Sequence, residues 1–431
     1  MLEGVAKKST YLALDRITRL VVSLLSGAII ARALGPQEFG LFAQTLLALS
    51  LFDAIAGLGI GGIIAARVTQ IRVDKRSKFL IVATLIRMLF TSVLLVIVLV
   101  SVKIIISDEV TMPSGFLLLC VFIGILFNNW LIIEGYLNGI GFPHHAAISK
   151  SLIAVLALLI RFIYIYAYEG SLEGFIVIFL VEQVLLTAIL MLISFNSQSK
   201  DTDAAETGII SNLFPFTLTM WASQIATLIY MRVDQLVLSI YASKPVVGMY
   251  MLSVSIVELT FTLPIMMNAL LISYVGSIRA NKKTSKTGFY QNMTNFYRIG
   301  FFISILLVLI LFSVADSLII FMYGDQFKDA IPLFRILIIS LPFVTIGSIQ
   351  LMSIYTGDDP FIHLRKTIAV AVMTPFFAVI GWHAMGVYGL AWSVVLSQAV
   401  SCYLINICFD YRSFIAQSSA IFYFPRRTNE F

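Results

Sequence analysis

The chain has 431 residues, 59% of them hydrophobic and only 12% charged, with a mean hydropathy of +0.97. That balance excludes a soluble globular protein and leaves no stretch of soluble composition long enough for a catalytic domain outside a bilayer. The formal charge of +6 does not indicate nucleic acid, because the basic residues are dispersed through loops.

Apolar runs of about 20 residues or more predict spans at 11–33, 39–65, 79–106, 113–137, 146–168, 173–195, 209–240, 246–275, 294–319, 331–354, 363–384 and 386–409. Their length, and the Gly, Pro and β-branched residues inside them, fit helices rather than the short alternating strands of a barrel. The expected fold is all-α, a polytopic membrane protein of about twelve transmembrane helices. The expected division is an N-terminal six-helix half (1–196), a polar linker (197–208), a C-terminal six-helix half (209–412) and a cytoplasmic tail (413–431).

The first span carries Asp15, Arg16 and Arg19 where lipid is expected. At 1.5 Å per residue Arg19 lies roughly 12 Å below Tyr11, a depth at which charge costs several kcal/mol unless it is paired or faces water. Asp15 and Arg19 are spaced i, i+4, and Arg16 and Arg19 i, i+3, so one helical face can hold all three and should look into the protein. These charges also rule out a cleavable signal peptide, despite Lys7-Lys8 and Ala31-Arg32-Ala33. The tight turn Leu34-Gly35-Pro36-Gln37-Glu38-Phe39-Gly40 should then reverse the chain into a second span bearing Asp53.

Gly57-Leu58-Gly59-Ile60-Gly61-Gly62 matches a dinucleotide-binding pattern, but it sits in a predicted membrane helix with no preceding strand, so helix packing or bending is expected instead. Gly135 and Gly139 are read the same way. Cys120, Cys402 and Cys408 lie in apolar runs without metal or redox spacing and read as buried helix residues. The four histidines offer no ligand spacing, and no metal site is expected. Arg87, Arg161, Glu182, Arg232, Asp234 and Glu258 complete the intramembrane charges. Arg232 and Asp234, at i, i+2, face different ways and should seek partners on other helices.

Basic residues gather in the tails and in the loops after even-numbered spans, among them Arg72, Lys75, Arg76, Lys282 and Lys283. The opposite loops hold only Arg32, Lys103, Lys244 and Lys328. This asymmetry places both termini in the cytoplasm. The halves also resemble each other. Glu134 to His145 can be laid over Gln350 to His363, Gly174 and Gln183 over Gly389 and Gln398, and Gly40-Leu41-Phe42 over Gly248-Met249-Tyr250. Two such parallel repeats are expected to face a central cleft. Arg16, Arg19, Arg87 and Arg232 are the candidate substrate-binding residues, since a guanidinium fork suits phosphate oxygens. Asp15, Asp53, Asp234 and Glu258 are the candidates for ion coupling or charge pairing.

The pattern Ala31-Arg32-Ala33-Leu34-Gly35-Pro36-Gln37-Glu38-Phe39-Gly40-Leu41-Phe42, followed by Gly57-Leu58-Gly59-Ile60, resembles the bacterial polysaccharide (O-antigen) flippases of the multidrug/oligosaccharidyl-lipid/polysaccharide exporter superfamily. The resemblance implies translocation of an undecaprenyl-diphosphate-linked oligosaccharide across the inner membrane by alternating access, and no enzymatic activity. It implies no cofactor beyond coupling to a proton or sodium gradient, and partners that include membrane lipid, a polysaccharide polymerase and chain-length proteins, but no nucleic acid. Relatives that flip the peptidoglycan precursor use first-helix arginines in places matching Arg16 and Arg19, but typically have fourteen helices, where twelve are counted here. A multidrug-type cation exporter of the same superfamily remains open, and a mainly acidic cavity would favour it.

Overall fold

A computed structural model describes residues 2–69, 71–105, 122–196, 214–280, 286–355 and 361–422. Among these, the helices are α1 (Leu2–Ala56), α2 (Ile60–Val68), α3 (Val73–Ile105), α4 (Trp130–Gly139), α5 (Pro143–Tyr168), α6 (Leu172–Asn196), α7 (Phe214–Tyr241), α8 (Lys244–Ala280), α9 (Lys286–Tyr323), α10 (Ile331–Leu337), α11 (Leu341–Tyr355), α12 (Phe361–Ala399), α13 (Asn406–Phe409) and α14 (Tyr411–Phe422), and no strand occurs. The fold is all-α, as expected. Eight helical stretches among the described residues are long and apolar enough to cross a membrane. Two of them, Leu14–Ala56 and Ile362–Phe409, are double, each broken at a glycine. The linker expected at 197–208 lies outside the described residues.

The breaks follow local chemistry. In α1, Gly35 alone leaves helical geometry, at φ 68° and ψ 174°, and Pro36 restarts the helix. A positive φ is cheap for glycine, and proline is preorganised for a first helical turn. The turn foreseen at Leu34–Gly40 is thus a single-residue break. Gly57-Leu58-Gly59 interrupts the second span, with Leu58 and Gly59 both at positive φ, so this glycine run bends a helix. The fourth span has a break at Asn128-Asn129 that its apolar sequence did not announce. Residues 413–422, expected as tail, lie in α14.

The chain divides into two compact units. The first comprises residues 1–34 and 45–225, the second 35–44 and 226–431. In the first, α4 packs on α2, α3, α5 and α6 around Ile64, Leu80, Ile132, Ile133 and Leu137. The α2–α4 contact is close because glycines make it: a Cβ added at Gly139 would lie 2.4 Å from Ala65 O. In the second, α9 packs on α11 and α14 around Phe289, Met293, Tyr297, Ile346 and Ala416, while α8 packs on α10 and α11.

Apolar side chains line the outer faces of the helices. Phe302, Leu306 and Leu309 on α9, and Leu152, Leu156 and Leu159 on α5, are all exposed at helical spacing. That is the inverse of a soluble protein and the face a lipid solvent selects. Of the described cysteines, Cys402 is half-buried and Cys408 exposed on such a surface; both are free, and Cys408 departs from the expected burial.

Residues 35–44, although they belong in sequence to the first hairpin, are part of the second unit. Gly40 and Gly248, equivalent in the sequence repeat, meet there. A Cβ on Gly40 would lie 2.3 Å from Lys244 O, and one on Gly248 2.0 Å from Pro36 O. Phe39 fills the adjoining space edge-on to Phe327, with ring centroids 5.8 Å apart. Either Gly40→Ala or Gly248→Ala should destabilise the detergent-purified protein by about 1–3 kcal/mol. Gly27→Ala, where a Cβ meets nothing within 4 Å, should cause no loss. Thermal unfolding checks both.

Candidate functional site

In the first unit, α1, α4 and α5 bring opposite charges together. Asp15 Oδ1 accepts from Arg19 Nε at 3.1 Å and from Ser151 Oγ at 2.8 Å, while Oδ2 accepts from Arg19 Nη2 at 2.9 Å. Lys150 pairs with Glu134 on α4 and lies 3.9 Å from Asp15 Oδ2. Its ammonium also sits 5.9 Å from the centroid of the Trp130 ring. Two carboxylates and two cations balance, which is what allows Asp15 and Lys150 to be buried among membrane helices.

Arg16 adds one further positive charge to this neighbourhood. It is half-buried and makes no hydrogen bond or ion pair among the described residues. Arg19, by contrast, spends its fork on Asp15, although its side chain keeps 39% exposure. The shared face foreseen for Asp15 and Arg19 is therefore present as a bidentate pair, with Arg16 beside it as the cation with nothing to hold.

Other candidates are engaged locally. Asp53 on α1 pairs with Arg87 on α3 and accepts from Asn128 Nδ2 at 3.2 Å. Arg161 on α5 pairs with Glu182 on α6. In the second unit, Arg232 on α7 grips Glu258 on α8 with both nitrogens, at 2.7 and 3.2 Å. Asp234 accepts from Tyr250 Oη at 2.6 Å and forms no salt bridge among the described residues. The i, i+2 spacing did send Arg232 and Asp234 to different partners, yet both partners lie on α8. Of the four candidate anion donors, Arg19, Arg87 and Arg232 each hold a carboxylate in this structure.

A second polar cluster was missed from sequence. Gln350 on α11 accepts from Lys366 Nζ at 2.7 Å and donates to Asn406 and Asp410, both at 2.9 Å. Asn406 in turn donates to Gln417 of α14 at 2.9 Å. All but Asp410 are buried. The signal that could have found it was in the repeat: Lys366 follows Gln350 by 16 residues, as Lys150 follows Glu134. Both lysines bond the matching side chain of a preceding helix. In the first unit the lysine's further carboxylate is Asp15, which brings Arg19; in the second the cluster is closed by α13 and α14.

The profile of the family described as polysaccharide biosynthesis protein matches residues 5–271, which include all the first-unit cluster and Arg232, Asp234, Tyr250 and Glu258. The chain belongs to that family. No curated protein matches it. Among solved structures, members of this family's fold neighbourhood include an inward-facing multidrug resistance MATE family transporter of the MOP superfamily, with a TM-score of 0.71 and 18% identity over 95% of this chain and 99% of that one. The lipid II flippase MurJ in an inward closed conformation gives a TM-score of 0.67 and 15% identity over 95% and 90%. A MOP superfamily transporter from Pyrococcus furiosus gives 0.64 and 18% over 96% of each. This polysaccharide biosynthesis protein therefore has the MOP transporter fold and is a multi-pass membrane protein.

Buried pairs of this kind are costly to break from one side. Asp53→Ala, which strands the buried Arg87, should destabilise the protein by about 3–5 kcal/mol, while Asp53→Asn combined with Arg87→Met should recover most of the loss. Thermal unfolding of the single and double variants distinguishes the two.

Proposed function

We propose that this chain is a flippase that carries an undecaprenyl-diphosphate-linked oligosaccharide, the repeat unit of O-antigen or another surface polysaccharide, across the bacterial inner membrane by alternating access. The observation that carries the reading is Arg16, a half-buried cation inside a membrane-spanning helix with no partner among the described residues, set beside a second guanidinium on the same face. A diphosphate supplies the missing negative charge, and charge-assisted hydrogen bonds from guanidinium to phosphate are among the strongest available. Family membership supports the sugar-lipid substrate class. Arg19 joins Arg16 when the ligand is bound; Arg87 and Arg232 serve structure through their carboxylates.

Among the described intramembrane carboxylates, Asp15, Asp53, Glu134, Glu182 and Glu258 each have a cation already. An organic cation would meet paired acids there, which favours the flippase over a multidrug-type exporter. Coupling to a proton or sodium gradient belongs to the same reading, with Asp53, Asp234 and Glu258 as its carboxylates; of these, Asp234 is the one that forms no salt bridge among the described residues. Both termini then lie in the cytoplasm, and polymerase and chain-length proteins take the product on the far side.

The test is flipping of a fluorescent undecaprenyl-diphosphate oligosaccharide in proteoliposomes. Arg16→Ala should slow it about tenfold to hundredfold without lowering thermal stability, since no buried partner is orphaned. Full activity in Arg16→Ala, or transport of an organic cation with no lipid flipping in the wild type, would defeat the reading.

A further inference from the structure

The proposed function leaves a physical difficulty at Asp15. When the Arg19 fork turns to a phosphate, it leaves behind a carboxylate with a side-chain exposure of only 4%. A buried charge stripped of its partner is strongly disfavoured, so ligand binding would be opposed by the cost of abandoning Asp15. The neighbourhood contains one group able to remove that cost. Lys150 Nζ lies 3.9 Å from Asp15 Oδ2, just beyond hydrogen-bonding distance, while bonded to Glu134. An ammonium carries three donors on a flexible stem and can hold two carboxylates at once, which a guanidinium committed to one fork cannot do as readily. Ser151, next in sequence, already donates to the other oxygen of Asp15 at 2.8 Å and keeps the carboxylate in place.

We propose that Lys150 is a positioning residue that acts as a reserve counter-ion: when Arg19 takes the diphosphate, Asp15 is handed from Arg19 to Lys150. Lys150 does not touch the ligand. It sets how easily Arg19 can be released, and so tunes affinity for any diphosphate headgroup. The equivalent lysine of the second unit, Lys366, holds a neutral amide, Gln350, and the hydrogen bonds of its cluster among the described residues involve no arginine. The device is therefore confined to the first unit. This inference rests on the flippase reading of Arg16 and Arg19.

The test is a double-mutant cycle on the full chain in nanodiscs, read as binding of undecaprenyl diphosphate, with inorganic pyrophosphate as a second ligand. Lys150→Met should weaken binding at least about tenfold when Asp15 is present, and less than about twofold in an Asp15→Asn background, where nothing needs a new counter-ion. Lys150→Arg should restore only part of the affinity, because a planar guanidinium serves two carboxylates less readily than an ammonium does. A merely structural lysine would cost the same in both backgrounds, and that result, or no weakening in either, overturns the handover. Should Lys150→Met fail to fold, Glu134→Gln/Lys150→Met leaves no unpaired acid on α4 and carries the same expectation. Coupling seen with pyrophosphate as well as lipid assigns the effect to the diphosphate alone; coupling with lipid only means that the chain seats the headgroup, and both support the handover. If the wild type binds neither ligand, the flippase reading falls and the handover with it; binding without coupling removes the handover alone.

Discussion

A charge inside a membrane-spanning helix must find its opposite, and this requirement governs the interior of both units. Asp15 with Arg19, Asp53 with Arg87, Glu134 with Lys150, Arg161 with Glu182 and Arg232 with Glu258 are separate solutions to the same problem. Apart from the first, each pair ties two helices and so fixes their rotation as well as their neutrality. The exposed apolar row on α5 then follows, because a helix whose charges, Lys150 and Arg161, are buried must turn its leucines outward. Against this background Arg16 stands out by arithmetic: it is a cation beside an already balanced cluster.

The second constraint is backbone approach. Gly40 and Gly248, like Gly135 and Gly139, occur where a methyl group would meet a neighbouring helix's carbonyl or side chain. In lipid there is no hydrophobic force between helices, so small residues that allow close contact do the work that leucine does in water. The meeting of Gly40 with its repeat equivalent Gly248 gives structural content to a sequence likeness that was only a few residues long. The Glu134–Lys150 and Gln350–Lys366 bonds do the same deeper in each unit.

The fold class was legible because twenty-residue apolar runs have few other meanings, and the double spans broke at Gly35 and at Met385-Gly386, where glycine had marked the boundary. The Asp15–Arg19 pair was legible because it is local, one turn apart on one helix. Pairs between helices were not: Asp53 and Arg87 are 34 residues apart, Arg232 and Glu258 are 26 apart, and which faces meet depends on packing that spacing does not encode. Helix α14 is not legible because its run is short and polar, and its place depends on Gln417, which accepts from Asn406 and donates to Cys402 O, and on Tyr403 bonding Ser418 at 2.9 Å. Lys150 is not legible as an internal charge for the same reason as the other pairs between helices, since its partner Glu134 lies on another helix, 16 residues away.

The central claim is that Arg16 holds a diphosphate, and a distance measurement addresses it most directly. Rotational-echo NMR between phosphorus of bound undecaprenyl diphosphate and the 15N-labelled guanidinium groups should detect a phosphorus–nitrogen separation of about 4 Å, as hydrogen bonding requires. That contact should be reduced in Arg16→Lys to the share that Arg19 contributes, since position 16 then has no guanidinium. An unchanged contact in the variant would place the diphosphate on other arginines and contradict the account.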